Sequence, residues 1–553
     1  MTTHTNLSAE ERSALDEASI WFDRHRGEFS QDLLDWVSIP SVSDTRQARE
    51  GEPYGPQVAR MFRAAAQRAS DFGLNSTDRE GHALEVWLGD DGSELGDIAL
   101  VSHLDVVPAG QGWTFEPFKP VERAGYVIGR GSSDNKLGAL TDLYLLRFLN
   151  ERFLGKRPLS ERPLSERPLS ERPLSEQPLS EQPLSKRPLS EQSLGGRGTH
   201  LRHNLHIIYG GAEETTLDDL RYYVAHYGAP RQAVVTDSPF PANNAQKGHL
   251  VLDIHLPAGP VLSTLDVGGA SNAVPGHGTI ALPASLAAVP GNAFDDLDAE
   301  TRGRLSILTA TDGKGLVLEA EGVAGHAAFP DGTSNAIILL VRGLLAIDRH
   351  TPFLDDRDCV TAETIVALFH SPYAEGSPIA FCDEESGRTT QNLGVVHPSR
   401  TGDGVDLTVD IRYAVTQHGP DIERALAGRL QAAGGSITHV ERSDPFFVPK
   451  DDPRLQALLS AYNDVIGVHE EPNAMGGGTH ARVIPGALNF GPGFGGLTDA
   501  NGERISRKPD FIEDGKGSAH GADEWASIDD AKTAFLIYLL GVLRLDAVLD
   551  ADD

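Results

Sequence analysis

The chain has 553 residues, 39% of them hydrophobic, and a formal net charge of −32. That length calls for at least two domains, and that charge excludes the basic face a nucleic-acid binder needs. Residues 1–11 lack the apolar core of a signal peptide, no apolar run approaches the ~20 residues of a membrane span, and Cys359 and Cys382 are too few for a disulfide framework. A cytoplasmic protein with reduced thiols, bound to neither membrane nor nucleic acid, is expected.

In chain order, Leu15 to Ile39 reads as a helix stopped near Pro40, and Pro56 to Phe72 as a second, ended by Gly73. Strands are expected over 84–88 and 97–102. Leu140, Leu143, Tyr144, Leu146 and Leu149 recur at helical spacing within Gly138 to Phe153. From Arg157 to about Leu194 the chain repeats Arg/Gln-Pro-Leu-Ser-Glu/Lys every five residues. Proline at that interval forbids a continuous helix or central strand, and a period of five gives no apolar face. The segment, about 156–198, is expected to be disordered, an expanded repeat tolerated in a loop rather than a docking tether. It leads into a strand at 204–210, and in an open α/β sheet that connection lies opposite the strand C-termini. Strands at 250–256, 315–320, 361–369 and 405–413, with helices at 334–347 and 420–433, then indicate an inserted α+β domain. Helices from Leu455 to Ile466 and over 525–546 return to the first domain. The expected architecture is α/β: a discontinuous domain (1–247 and 449–553) with a mixed sheet flanked by helices, and an α+β domain (248–448) inserted in it.

Chemistry-bearing residues gather at strand ends. The doublet Glu213–Glu214 follows the apolar run Leu205 to Ala212, and a buried strand ending in two carboxylates is costly unless something positive waits there. Two neighbouring carboxylates are tolerable when one binds a metal and the other holds a proton. Val101-Ser-His103-Leu-Asp105 ends a second strand, Val234-Val-Thr-Asp237 a third. His103 and Asp105, two apart, face one side of an extended chain; His103 reads as a ligand and Asp105 as the group that orients it. Asp134 stands before the helix from 138, where it also reads as an N-cap, and His520 lies in a Gly/Ser/Ala-rich loop. Each residue alone is compatible with a cap or a solvated turn; five at strand ends or in loops are where open α/β sheets place their sites.

The segment His103-Leu-Asp105-Val-Val-Pro108-Ala-Gly-Gln-Gly-Trp113-Thr-Phe-Glu-Pro117-Phe118 resembles the first motif of the M20 di-zinc metallopeptidases, within which the chain is most similar to the PepV-like dipeptidases, relatives of the carnosinases. The resemblance runs from about residue 30 to the C-terminus, the repeat excepted. It implies a di-zinc exopeptidase fold with a catalytic domain and an inserted lid, and two divalent ions, zinc foremost, manganese or cobalt otherwise. Asp134 would bridge the ions across a cis Asp134–Asn135 peptide, His103 and Asp237 would complete one site, and Glu214 and His520 the other. Glu213 would be the general base, supported by Asp105 at His103. Gly322-Val-Ala-Gly325-His326 matches a motif whose histidine polarises the scissile carbonyl. Asp410-Ile-Arg412-Tyr413 matches one whose arginine grips the substrate carboxylate. Ser271-Asn272-Ala-Val-Pro275 and Gly476-Gly-Gly-Thr479-His-Ala-Arg482 match substrate segments, nominating Asn272 and Thr479. One departure is Leu137, which stands where a glycine is expected and could shift the helix start.

The implied reaction is hydrolysis of dipeptides or short peptides by a metal-activated water, in a monomer whose two domains close on substrate. A same-family deacylase of N-acyl or N-succinyl amino acids is the alternative enzyme. A non-catalytic peptide-binding protein, with the repeat as its working part, is the alternative from another class.

Overall fold

A computed structural model describes residues 7–88, 98–154, 201–286, 288–310 and 315–549. The five-residue repeat, expected to be disordered, lies outside the described residues. The chain divides into two compact units: Met1–Asn244 with Val448–Asn473 and Thr479–Asp553, and Ala245–Phe447 with Ala474–Gly478.

The first unit is built on a mixed sheet. Six of its nine strands lie in the order Asn75–Arg79, Ala83–Trp87, Leu205–Gly210, Ile98–His103, Gln232–Val235 and Leu488–Asn489. The three strands Leu205–Gly210, Ile98–His103 and Gln232–Val235 run parallel, and Ala83–Trp87 joins them antiparallel. Every residue of the three parallel strands is buried, which is why their sequences read as continuous apolar runs rather than alternations. Their parallel register brings the C-terminal ends, Gly210, His103 and Val235, to one edge.

Helix Ala9–Val37 opens with a capping box: the Ser8 hydroxyl accepts from Glu11 N at 3.1 Å while Ser8 N donates to Glu11 Oε2 at 2.7 Å. This helix, Lys136–Leu154 and Ile528–Leu549 pack on one another, and Lys136–Leu154 also packs on the strands Ile98–His103 and Leu205–Gly210. An aromatic cluster joins them, with Trp21 and Phe535 stacked at 5.7 Å and Phe29 edge-on to Tyr144 at 4.9 Å. Helix Lys136–Leu154 begins directly at Lys136, so Leu137 does not displace its start; Leu137 is buried instead. The residue that must be small is Gly138, where a Cβ would stand 2.3 Å from Asn135 Oδ1 and 2.8 Å from Thr236 O.

The second unit holds a five-stranded antiparallel sheet, ordered Val267–Gly268, Thr390–Pro398, Gly404–Tyr413, Gly248–Pro257, Ser436–Ser443. Strand Gly248–Pro257 alternates buried and half-buried residues along its length, the pattern of a sheet with one face on a core. A three-stranded sheet joins His277–Ala281, Leu316–Glu321 and Leu305–Thr309. Helices Ala336–His350, Asp356–Phe369 and Gly419–Ala432 contribute to its core.

Two expectations are corrected. Residues 361–369 are not a strand but the end of helix Asp356–Phe369. Its β-branched residues suggest a strand, yet Thr361, Ala362, Ile365, Leu368 and Phe369 are buried at helical spacing, and Asp355 Oδ1 caps the helix by accepting from Asp358 N at 2.8 Å. The last helix starts at Ile528 rather than 525, because Trp525–Ser527 pairs as a strand with Tyr126–Ile128.

Candidate metal centre

At the C-terminal edge of the parallel strands of the first unit, His103, Asp134, Glu213, Glu214, Asp237 and His520 come together. His103 is the last residue of its strand and fully buried. Its Nδ1 lies 3.0 Å from the backbone oxygen of Asp105 and 3.3 Å from Asp105 Oδ1. A carbonyl only accepts, so Nδ1 carries the hydrogen and Nε2 of the neutral ring offers its lone pair to the centre. That Nε2 lies 3.1 Å from Asp134 Oδ1, 3.7 Å from Asp237 Oδ2 and 3.9 Å from Glu213 Oε2. The other oxygen of Asp134, Oδ2, lies 3.2 Å from His520 Nε2, which is also 2.9 Å from Glu214 Oε2. Asp134 thus turns one oxygen to each imidazole. His103, Asp134 and Asp237 form one set of convergent donor atoms within 4.8 Å of one another; Asp134, Glu214 and His520 form a second.

The turn after each strand aims the side chains. The Asp105 carboxylate accepts the backbone N–H of Glu213 at 3.2 Å and of Glu214 at 3.1 Å, so one buried group fixes the histidine and the glutamate doublet together. Asn135 follows the cis Asp134–Asn135 peptide; its Nδ2 donates to Asp237 Oδ1 at 2.6 Å and to Thr236 O at 2.9 Å.

Asp134, Glu213, Glu214 and Asp237 surround two imidazoles. Burial, with the Asp237 carboxylate next, pushes the Glu213 carboxyl well above its ordinary range. Burial and Asp134 lift Glu214 to about 7. Burial works against a charged His103, but Asp237, Asp105 and Asp134 outweigh it and raise the imidazole. Hydrogen bonds to Asp134 and Glu214 carry His520 up to about 11. Burial alone would raise Asp134, yet His103 and His520 hold it well below the usual carboxylate range. The cluster's excess of carboxylates over imidazoles calls for positive charge to offset it. Divalent cations do that directly, and carboxylate oxygens with imidazole nitrogens are their donors; the residues present fit a pair of such ions.

Of the remaining sequence-nominated residues, His326 and Asn272 are neighbours in the second unit: Ala273 pairs with His326 in a two-residue ladder, and Ala327 N donates to Asn272 O at 2.9 Å. Both are exposed. His326 Nδ1 accepts from Ala328 N at 3.1 Å, so the neutral ring carries its hydrogen on Nε2. Arg412 is nearly buried, its Nε and Nη2 forked onto Asp410 at 2.8 and 3.0 Å, with Nη1 3.3 Å from Gly476 O. Asp410 also accepts from His249 Nε2 at 2.8 Å. Thr479, in the first unit, is buried; its hydroxyl donates to Asn489 Oδ1 at 2.7 Å and accepts from Ala481 N at 3.2 Å, the position of a cap.

Sequence reasoning overlooked a supporting layer. His480 Nε2 meets both oxygens of the fully buried Asp219 at 3.1 and 3.0 Å, and Asp219 Oδ2 accepts from Gly211 N and Ala212 N, just before the glutamates. Gly210 is required here, because a Cβ would stand 2.4 Å from Asp219 Oδ2 and from His480 Cε1. Asp142, Arg130 and Glu524 are likewise buried near the ligand-bearing loops. Asp142, the one charged residue in the stretch Leu137–Leu146 of its helix, was the available signal.

The model of the Peptidase family M20/M25/M40 matches residues 99–160, which include His103, Asp105 and Asp134. The chain is 25% identical over 538 residues to "Putative dipeptidase YtjP" of Bacillus subtilis, covering 94% of this chain and 98% of that protein. It is 27% identical over 506 residues to "Putative dipeptidase SSP1012" of Staphylococcus saprophyticus, covering 87% and 93%. Among solved structures, human carnosine dipeptidase 1 aligns over 96% of this chain and 99% of its own with a TM-score of 0.50 at 16% identity, a likeness of fold. The chain is thus similar to the M20/M25/M40 peptidase model over residues 99–160 and to bacterial putative dipeptidases along nearly its whole length.

Proposed function

We propose that the protein is a metal-dependent dipeptidase that hydrolyses the amide bond of dipeptides or short peptides, with Glu213 as general base. The observation that carries this reading is the Asp134 carboxylate shared between His103 and His520, each backed by a further carboxylate, Asp237 or Glu214. Two divalent ions, zinc foremost, would be held by these five residues and supply Lewis acidity together with an acidified water.

Glu213 contributes no atom to either donor set yet stands within 3.9 Å of His103 Nε2. With cations beside it favouring the carboxylate, Glu213 is assigned to take the proton from water as the water attacks the carbonyl and to return it to the leaving amine. Asp105 keeps Glu213 in place through its backbone N–H and keeps His103 in the tautomer whose Nε2 lone pair faces the centre. His326, with Nε2–H as its donor, is assigned the developing oxyanion. Arg412 is assigned the substrate carboxylate, with Asp410 on its Nε/Nη2 edge fixing the orientation of the guanidinium. A carboxylate clamp favours dipeptides or short N-acyl amino acids, whose carboxylate is close to the scissile bond, over long chains. Asn272, beside His326, and Thr479, through its loop, are assigned to substrate positioning.

The test is hydrolysis of a dipeptide panel by the metal-loaded protein, with and without chelator, beside Glu213→Gln. Hydrolysis that chelator abolishes and Glu213→Gln lowers by about 100-fold or more supports the reading. Parent-rate hydrolysis by Glu213→Gln contradicts it.

A further inference from the structure

Two loops must meet for the Asp134, Glu214 and His520 set to exist, and one buried ion pair ties them. Arg130 and Glu524 are 1% and 0% exposed, with Arg130 Nη1 2.5 Å from Glu524 Oε2. Glu524 Oε1 accepts from Ser133 N at 2.9 Å, Asp134 N at 3.1 Å and the Ser133 hydroxyl at 3.1 Å, and Oε2 accepts from Gly131 N at 3.1 Å. On the other side, Arg130 Nη2 donates to His520 O at 2.9 Å and Ala109 O at 3.2 Å. The guanidinium lies 5.2 Å over the Trp113 ring. The pair therefore grips the backbone of Asp134 with its carboxylate and that of His520 with its guanidinium. His520 needs a grip: its φ of 62° lies in the left-handed region that residues with a side chain seldom occupy. His103 and Asp237 are held otherwise, by the parallel strands and by Asp105 and Asn135.

We infer that Arg130 and Glu524 are positioning residues that set the placement of His520 against Asp134, and that Arg130 thereby controls the affinity of one cation site without controlling the other. The inference rests on the two-metal reading above. Arg130→Lys separates its parts. A lysine keeps a cation against Glu524, and with it the Asp134 loop, but a single ammonium cannot span Glu524 and the His520 carbonyl as a planar guanidinium does.

The experiment is a titration of metal-stripped, full-length protein with Co(II), followed by visible absorption, with His520→Ala marking the phase that belongs to its site and thermal melting run alongside. The parent takes up two equivalents. Arg130→Lys takes up the first with the parent's affinity and the second at least about tenfold more weakly, at an unchanged melting temperature. Arg130→Lys binding both equivalents as the parent does overturns the inference, as does equal weakening of both with a lowered melting temperature, the mark of a merely structural pair. Should Arg130→Lys fail to fold, Glu524→Gln carries the test: it is expected to weaken both phases, since Asp134 serves both sites, and parent-like affinities overturn the inference. A parent that binds fewer than two equivalents overturns the two-metal reading, and this inference with it.

Discussion

The Asp142 carboxylate accepts the Thr236 hydroxyl at 2.7 Å, and the same oxygen accepts the Ser102 hydroxyl at 3.1 Å. Ser102 precedes His103 and Thr236 precedes Asp237, so one fully buried side chain of helix Lys136–Leu154 ties the ends of two strands that carry candidate ligands. Burial raises Asp142 from 3.8 to about 8, against the lowering effect of both hydroxyls. Between those values the native state holds a proton that the unfolded chain has released. The Asp142 contribution to stability is therefore full below about pH 4 and lost as pH rises toward about 8, by up to about 1.4 kcal/mol per pH unit. The Asp142→Asn variant does not titrate at this position, and its amide oxygen still accepts a hydroxyl. Urea denaturation at pH 5 and pH 8 is expected to show the variant gaining on the parent at the higher pH.

Asp105 serves His103 and the Glu213–Glu214 backbone at once. Asp105→Ala removes the acceptor of two N–H groups and frees the glutamate turn. A 10- to 100-fold loss of metal affinity, on the order seen for groups that orient metal ligands, is expected in competition with a chromophoric chelator.

His326 is exposed, and its Nδ1 is already occupied by Ala328 N–H. His326→Ala should leave the melting temperature within a degree or so, since surface substitutions change stability by only about 0.5 kcal/mol. The loss should fall on kcat, by about 100- to 1,000-fold if the ring supports the oxyanion, with metal content unchanged. Steady-state kinetics on a dipeptide, paired with metal analysis, separates these effects.

Chelation should destabilise the first unit. With Asp134, Glu213, Glu214 and Asp237 gathered about two imidazoles, the metal-stripped centre is repulsive, and ions that bind only the native state stabilise by about 2.7 kcal/mol at 100-fold excess over Kd. Differential scanning calorimetry with and without added Zn(II) or Mn(II) is expected to show an upward shift of the melting transition on loading.

Three of the candidate donors, His103, Glu214 and Asp237, were legible because each follows a continuous apolar run, and continuous apolar runs are what parallel, doubly covered strands must be. Asp134, before a helix, and His520, in a small-residue loop, joined them by position, and the motif resemblance gave the five their roles. Arg130, Asp142, Asp219 and Glu524 did not stand out, because a buried ionisable residue looks like a surface one until its partners are known, and those partners lie far along the chain: Arg130 and Glu524 are 394 positions apart. Helix Asp356–Phe369 was misread for a related reason: its β-branched residues favour a strand locally, while its burial against the second unit's core decides for helix. Arg412 shows the same limit: Asp410 and Arg412, two apart in a strand, share a face, but the sequence does not decide whether the guanidinium forks onto Asp410 or onto substrate.

Everything in the proposed chemistry depends on Asp134 serving two cations. The direct measurement is metal content of the parent and of Asp134→Ala after equilibrium dialysis against Zn(II), by inductively coupled plasma mass spectrometry, with circular dichroism confirming the fold. The account predicts two equivalents per chain in the parent and loss of tight binding at both sites in the variant. An Asp134→Ala protein that folds and still retains two equivalents would contradict it.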